Sequence, residues 1–202
     1  MAISSYSELV SNIKDWLWNR DDLDARIPTF IRLAEAQMQR VLETREMEDV
    51  VQLQVEDGGA FLPKDFAGVI AVRQAVRERE EIKPVPLSQL VARYEGDGRP
   101  IEYAISEDRI LFWPGSGFEV LLHYRKRLPP LSDAVSCNWL LKNHPDAYLY
   151  GALTQASPYL KENNDGAVWA TFFQTAIGAI NEDGIRQRHG QGVQLSVNGN
   201  VI

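Results

Sequence analysis

Apolar positions recur at two different spacings along this chain, and the change of spacing marks out its parts. In residues 1–49 the period is helical. Leu9, Ile13, Trp16 and Leu17 share one face. Ahead of them, Ser5 and Glu8 have the spacing of a capping box, in which a hydroxyl and a carboxylate satisfy free amide hydrogens at a helix start. Asn19-Arg20-Asp21-Asp22 breaks the pattern. Pro28 suits the first turn of a second helix, where its missing N–H costs nothing. Ile31, Ala34, Met38, Val41 and Leu42 form the apolar stripe of that helix. Arg32, Glu35, Gln39, Arg40, Glu43 and Glu46 form its other face, expected to be solvated or turned toward a partner.

From residue 50 to 131 the period falls to two. Val51, Leu53 and Val55 alternate with glutamines, as in a half-buried strand. Asp57-Gly58-Gly59 is a turn, with the return at Ala60 to Pro63. Further strands are expected at 69–76, 82–85, 101–105, 110–113 and 118–124, with a charged hairpin tip at 77–80 and a short helix within 86–94. The tight connections favour antiparallel pairing over strand–helix–strand units. Residues 132–183 return to helix. Asn143 or His144 caps one helix, opened by Pro145, in which Pro158 is a kink or a stop. Asn164 or Asp165 opens the last helix, striped by Val168, Trp169, Phe172, Phe173, Ala176, Ile177 and Ile180 and ended by Gly184. Residues 184–202 have no acidic residue, and Val193, Leu195 and Val197 alternate with polar ones. Such a terminal strand can join its own sheet, a neighbouring copy or another protein.

This pattern predicts an α+β fold: a bundle of about four helices from 1–49 and 132–183, an inserted antiparallel β meander at 50–131, and an extended tail at 184–202. A chain of 202 residues can bury a core without disulfides or metal. Its net charge of −7 argues against a surface built to wrap nucleic acid. The single cysteine, Cys137, excludes an internal disulfide and a multi-cysteine zinc site, and reads as a small buried hydrophobe. There is no signal-peptide pattern and no run of 18 apolar residues, so the chain is expected to fold in the cytosol and to span no membrane.

The search for chemistry yields little. The nucleotide-binding P-loop and the Gly-x-Ser-x-Gly elbow are absent. Gly96-Asp97-Gly98 and Gly115-Ser116-Gly117 read as tight turns. His123, His144 and His189 lack metal-ligand spacing, so neither a metal nor a cofactor is expected. Asp65 followed by Glu81-Ile82-Lys83 matches the loose pattern of a metal-dependent nuclease, in which two carboxylates hold Mg²⁺ and a lysine steadies developing charge. That pattern, or a monomeric α+β binding module, is the alternative to an assembly protein without catalytic residues.

Several segments resemble phage head-to-tail adaptor, or head-completion, proteins. Trp18 to Leu23, Ile27-Pro28 and Leu33 to Ala36 resemble their N-terminal helical pair. Leu62 to Phe66 resembles their "LPxDF" turn, and Gly98-Arg99-Pro100 through Tyr103 their strand entry, with Trp113-Pro114 following. His123 to Lys126 and Leu128 to Leu131 match the end of the β block. Asn138-Trp139-Leu140-Leu141, Pro145 through Leu153, Pro158-Tyr159-Leu160 and Trp169 follow in order, so the likeness covers about residues 16 to 181. The resemblance implies a structural virion protein, not an enzyme. It implies a ring, commonly of twelve copies, beneath the portal protein, assembled in the host cytoplasm. That ring extends the DNA channel, lets DNA pass without specific binding, and offers a platform to the tail or its tube and nozzle proteins. At −7 per copy, twelve copies carry −84, which would repel sliding DNA where it faces the lumen. In related adaptors a C-terminal extension docks on the portal. Arg186 and Arg188, ahead of Val193, Leu195 and Val197, are the candidate portal-binding residues here.

Overall fold

A computed structural model describes residues 3–76, 80–93, 96, 98–115, 117–160 and 165–189. The chain forms two compact units, Met1–Glu46 with Leu128–Ile202, and Met47–Arg127. The fold is α+β.

The first unit is helical. α1 (Tyr6–Trp16) starts at Ser5, whose hydroxyl accepts from the Glu8 amide at 3.3 Å, while the Glu8 carboxylate accepts from Ser4. α2 (Ile27–Val41) carries Pro28 in its first turn. Leu9, Ile13 and Leu17 pack as expected, and so do Ile31, Ala34, Met38 and Leu42. Val41 is instead 41% exposed.

In the second unit, β1 (Glu48–Val55) turns through Asp57 and Gly58, both at positive φ, into β2 (Gly59–Phe61). Glycine takes the second of those positions without a Cβ penalty. β3 (Phe66–Gln74), β4 (Lys83–Pro84), α3 (Leu87–Val91), β5 (Glu102–Ser106), β6 (Arg109–Trp113) and β7 (Phe118–Lys126) follow. They build two sheets, ordered β1-β7-β3 and β2-β6-β5-β4, rather than one meander. All pairings are antiparallel except β4 with β5, which run parallel across α3. The two sheets share one apolar cluster, including Val55, Val72, Leu122, Tyr103, Ile110 and Phe112. Burying alternate residues of both inner faces is what makes two short sheets stable. Tip residues 77–79, Asp97 and Ser116 lie outside the described residues.

The chain then returns to the helical unit with α4 (Trp139–Asn143), α5 (Pro145–Leu160) and α6 (Gly166–His189). α4 is capped by Asn138, whose carbonyl oxygen accepts from the Leu141 amide at 2.9 Å. Pro158 lies in the last turn of α5 and does not end it early. Gly151 lets α5 come close to its neighbours, since a Cβ there would sit 3.0 Å from Phe173 and 3.1 Å from Ala34.

Gly184 does not end α6, which continues to His189. The reason is packing. Asn181 accepts from the Glu43 amide and donates to the Val41 carbonyl, each at 2.8 Å, satisfying the end of α2. One turn on, a Cβ at Gly184 would lie 3.1 Å from both the Glu43 oxygen and Thr44 Cα. The glycine serves close approach, so Arg186 and Arg188 stand on a helix rather than in an extended tail. Val193, Leu195 and Val197 lie outside the described residues.

Candidate assembly surfaces

The face of α2 expected to be solvated is partly internal. Glu35 is only 7% exposed. Its Oε1 accepts from the Leu131 amide at 2.7 Å and from the Tyr148 hydroxyl at 3.1 Å. Asn138 in turn donates to the Tyr148 hydroxyl at 2.6 Å and to the Pro129 carbonyl at 2.8 Å. One helical turn along, Gln39 accepts from the Leu128 amide at 2.6 Å. These side chains hold the extended segment 128–131, which has no helix or sheet ladder to satisfy its amides. Burial pushes the Glu35 carboxyl up, and the bonds from Leu131 and Tyr148 pull it partly back. Burial, then the Glu35 charge, raises the Tyr148 hydroxyl. This is a structural clasp, and a helical wheel alone gave no sign of it.

The exposed remainder of the helical unit is rich in aromatics. Trp16 meets Tyr150 edge-on with ring centroids 5.9 Å apart, and Tyr150 meets Phe172 at 5.1 Å. Trp16 and Phe172 keep 44% and 46% of their surface exposed, and Val168, one turn from Phe172, keeps 47%. A strip across α1, α5 and α6 is therefore apolar and open to solvent, a property of interaction surfaces. The sequence pattern placed Trp16, Val168 and Phe172 on the apolar stripes of their helices. Trp18 is 85% exposed. Near it, Lys14 bridges Asp21 at 2.9 Å and Asp24 at 2.8 Å, which raises the lysine's pKa. Arg20 pairs with Asp22 at 2.7 Å.

Of the candidate tail residues, Arg186 contacts Glu182 at 3.5 Å and Asp183 at 3.2 Å, all well exposed. Arg188 lies on the same helix. In the β unit, Arg93 of the segment after α3 pairs with Glu102 at 2.9 Å and stacks over Trp113, 5.1 Å from the ring centroid. Phe61 is 67% exposed beneath the Arg109 guanidinium. A cavity of about 430 Å³ opens between Gln54, Gln74, Arg99 and Phe118.

The nuclease pattern does not assemble. Asp65 sits at the entry of β3, where it accepts from the Tyr124 hydroxyl at 3.1 Å, and burial together with that bond pushes the phenol up to about 12. Glu81 bridges Arg73, at the opposite end of the same strand. Along the partner strand β7 the two levels, Arg127 opposite Asp65 and Leu121 opposite Arg73, are six residues apart, roughly 20 Å at the usual rise. Asp65 and Glu81 therefore cannot share a metal ion. Among the described residues no group of three His, Cys, Asp or Glu side chains could hold one. Cys137 is exposed rather than buried. No described helix is long and apolar enough to cross a membrane.

The helical unit thus carries a buried clasp and an open aromatic strip of the kind found on interaction surfaces. The family model of the SU10 adaptor protein matches residues 4–195, and the chain belongs to that family, a family of phage head-tail adaptors. Among curated proteins, no match to the chain was found.

Proposed function

We propose that this chain is a structural virion protein at the head-tail junction, which forms a ring under the portal, extends the DNA channel and carries the tail attachment platform. The observation that carries the reading is the match to an adaptor family along nearly the whole chain. The exposed strip of Trp16, Tyr150 and Phe172 supports it, because aromatic side chains are enriched in protein interfaces. The ring has about twelve copies, and DNA slides through it without specific binding. The portal contact uses Arg186 and Arg188 at the end of α6, followed by Val193, Leu195 and Val197 added as a strand to a portal edge.

Native mass spectrometry of the purified protein, alone and with portal rings of the same phage, tests the ring. A complex with a whole number of copies near twelve is expected. A monomer that ignores the portal overturns the reading. Removing residues 190–202, which leaves α6 intact, tests the strand, and R186E/R188E tests the cations. Undiminished portal binding by either variant removes that element of the contact.

A further inference from the structure

The end of α1 is built against its own stability. The Trp18 amide donates to the Asp15 carbonyl at 3.1 Å and the Asn19 amide to the Lys14 carbonyl at 3.0 Å, closing the helix. This closure places Trp18 at φ 63 and Asn19 at φ 51. Glycine is the usual residue at the first of these positions, because any Cβ is strained there. Tryptophan adds a second cost, since 85% of its surface faces water. Burying the ring against another molecule removes the second cost and offsets the first. Beside it, Asp15 is exposed and forms no ion pair among the described residues.

A complementary surface lies on α2 of the same unit. Arg32, Leu33, Ala36 and Arg40 are exposed at helical spacing, and Leu33 keeps 49% of its surface open. Arg32 acts on the buried Glu35 charge from a distance, and its guanidinium stays exposed, as does that of Arg40. The face thus has an apolar centre with a cation on each side. A tryptophan laid on Leu33 and Ala36 would lie against guanidinium groups, a favourable stack, with Asp15 reaching a cation.

We infer that Trp18 and Asp15 of one copy dock on the Arg32–Leu33–Ala36–Arg40 face of α2 in the next copy. The two surfaces differ, so the contact is head-to-tail and repeats around a ring. This inference rests on the ring reading above, and its tests separate the two.

Full-length protein is assembled alone and on portal rings, and its mass and affinity are measured. Trp18→Gly should weaken self-association about thirtyfold, the loss typical of an interface hot spot. Its folded-to-unfolded ratio should stay level or rise about fivefold as backbone strain is released. Asp15→Arg and Arg40→Glu should each assemble poorly alone. Mixed in equal amounts they should assemble as wild type does, because every alternating contact then joins opposite charges. Normal self-association of Trp18→Gly, or a mixture as weak as its components, overturns the contact while wild-type rings leave the adaptor reading standing. Loss of portal binding by a Trp18→Gly protein that still self-associates also overturns it and places Trp18 against the portal. Wild-type protein that forms no ring even on the portal overturns both readings.

Discussion

Replacing Glu35 by alanine removes the acceptor that holds two buried donors, the Leu131 amide at 2.7 Å and the Tyr148 hydroxyl at 3.1 Å. A buried donor left unsatisfied costs about 1–3 kcal/mol. Two of them place the loss near 4 kcal/mol, a large part of the 5–15 kcal/mol that holds a typical protein together. For a chain of this length that is roughly a 10 °C fall in Tm. Glu35→Gln keeps a carbonyl oxygen where Oε1 stands, so both donors stay satisfied and the buried charge is gone. It should remain within about 1 kcal/mol of wild type at neutral pH.

The pH dependence separates charge from geometry. Burial raises the folded-state pKa of Glu35 above its ordinary value. The folded protein therefore holds that proton more tightly than the unfolded chain does. This contribution to stability is complete below the unfolded pKa and is lost as pH rises through the folded one. Glu35→Gln lacks the term, so its stability relative to wild type should improve from pH 4 toward pH 7. The assay is denaturant unfolding followed by tryptophan fluorescence, since four of the five tryptophans, all but Trp113, lie in the helical unit. Midpoints are compared at unchanged slope. A Glu35→Gln protein as damaged as Glu35→Ala would refute the reasoning, as would a Glu35→Ala loss below 1 kcal/mol.

Gly184→Val should cost about 2–3 kcal/mol, because its side chain meets the Glu43 and Thr44 backbone and backbone cannot rotate away; thermal melts check this, and an unchanged Tm would mean that α6 does not pack there. Gly151→Val should cost at least as much, through Phe173 and Ala34, and the same melts decide it. Incubation of the protein with DNA and Mg²⁺ should give no cleavage beyond that of Asp65→Ala, since Asp65 and Glu81 stand at opposite ends of β3. Cleavage that Asp65→Ala abolishes would reverse that assignment. Excising residues 48–126 and joining the ends with a short Gly-Ser linker should leave the helical content of the first unit intact by circular dichroism; a chain that no longer melts cooperatively would show that the β unit is needed for its folding.

The helices and the β block were legible because each announces itself locally. Ser5, Pro28 and Pro145 mark helix starts, and Val51, Leu53 and Val55 mark a strand. What escaped depends on residues far apart in sequence. Nothing near Glu35 indicates that Tyr148, more than a hundred positions later, will deliver a hydroxyl to it. Gly184 carries the usual signal of a helix end, and only the approach of Glu43 and Thr44 turns it into a contact inside α6. The β4–β5 pairing is parallel because α3 intervenes, and a two-residue strand is too short to show its direction in a hydrophobic pattern. Trp16 and Phe172 fell on apolar stripes, yet a stripe does not distinguish a residue buried by its own chain from one kept for a partner.

The organisation of the chain follows from how the β unit begins and ends. Its first and last strands, β1 and β7, are antiparallel neighbours, with Glu48 opposite Arg125. Such a pair brings the entering and leaving backbone within about 5.5 Å. An insert with adjacent ends adds little constraint to the unit that carries it, and closing a loop of about 80 residues costs roughly 4 kcal/mol. On the helical side, that cost is met at once by the anchors of the returning segment, the Leu128 amide on Gln39 and the Leu131 amide on Glu35. The clasp is therefore where it has the most effect, at the first residues after the insert. It ties the returning segment 128–131 to α2, so the helical unit forms from two distant parts of the sequence.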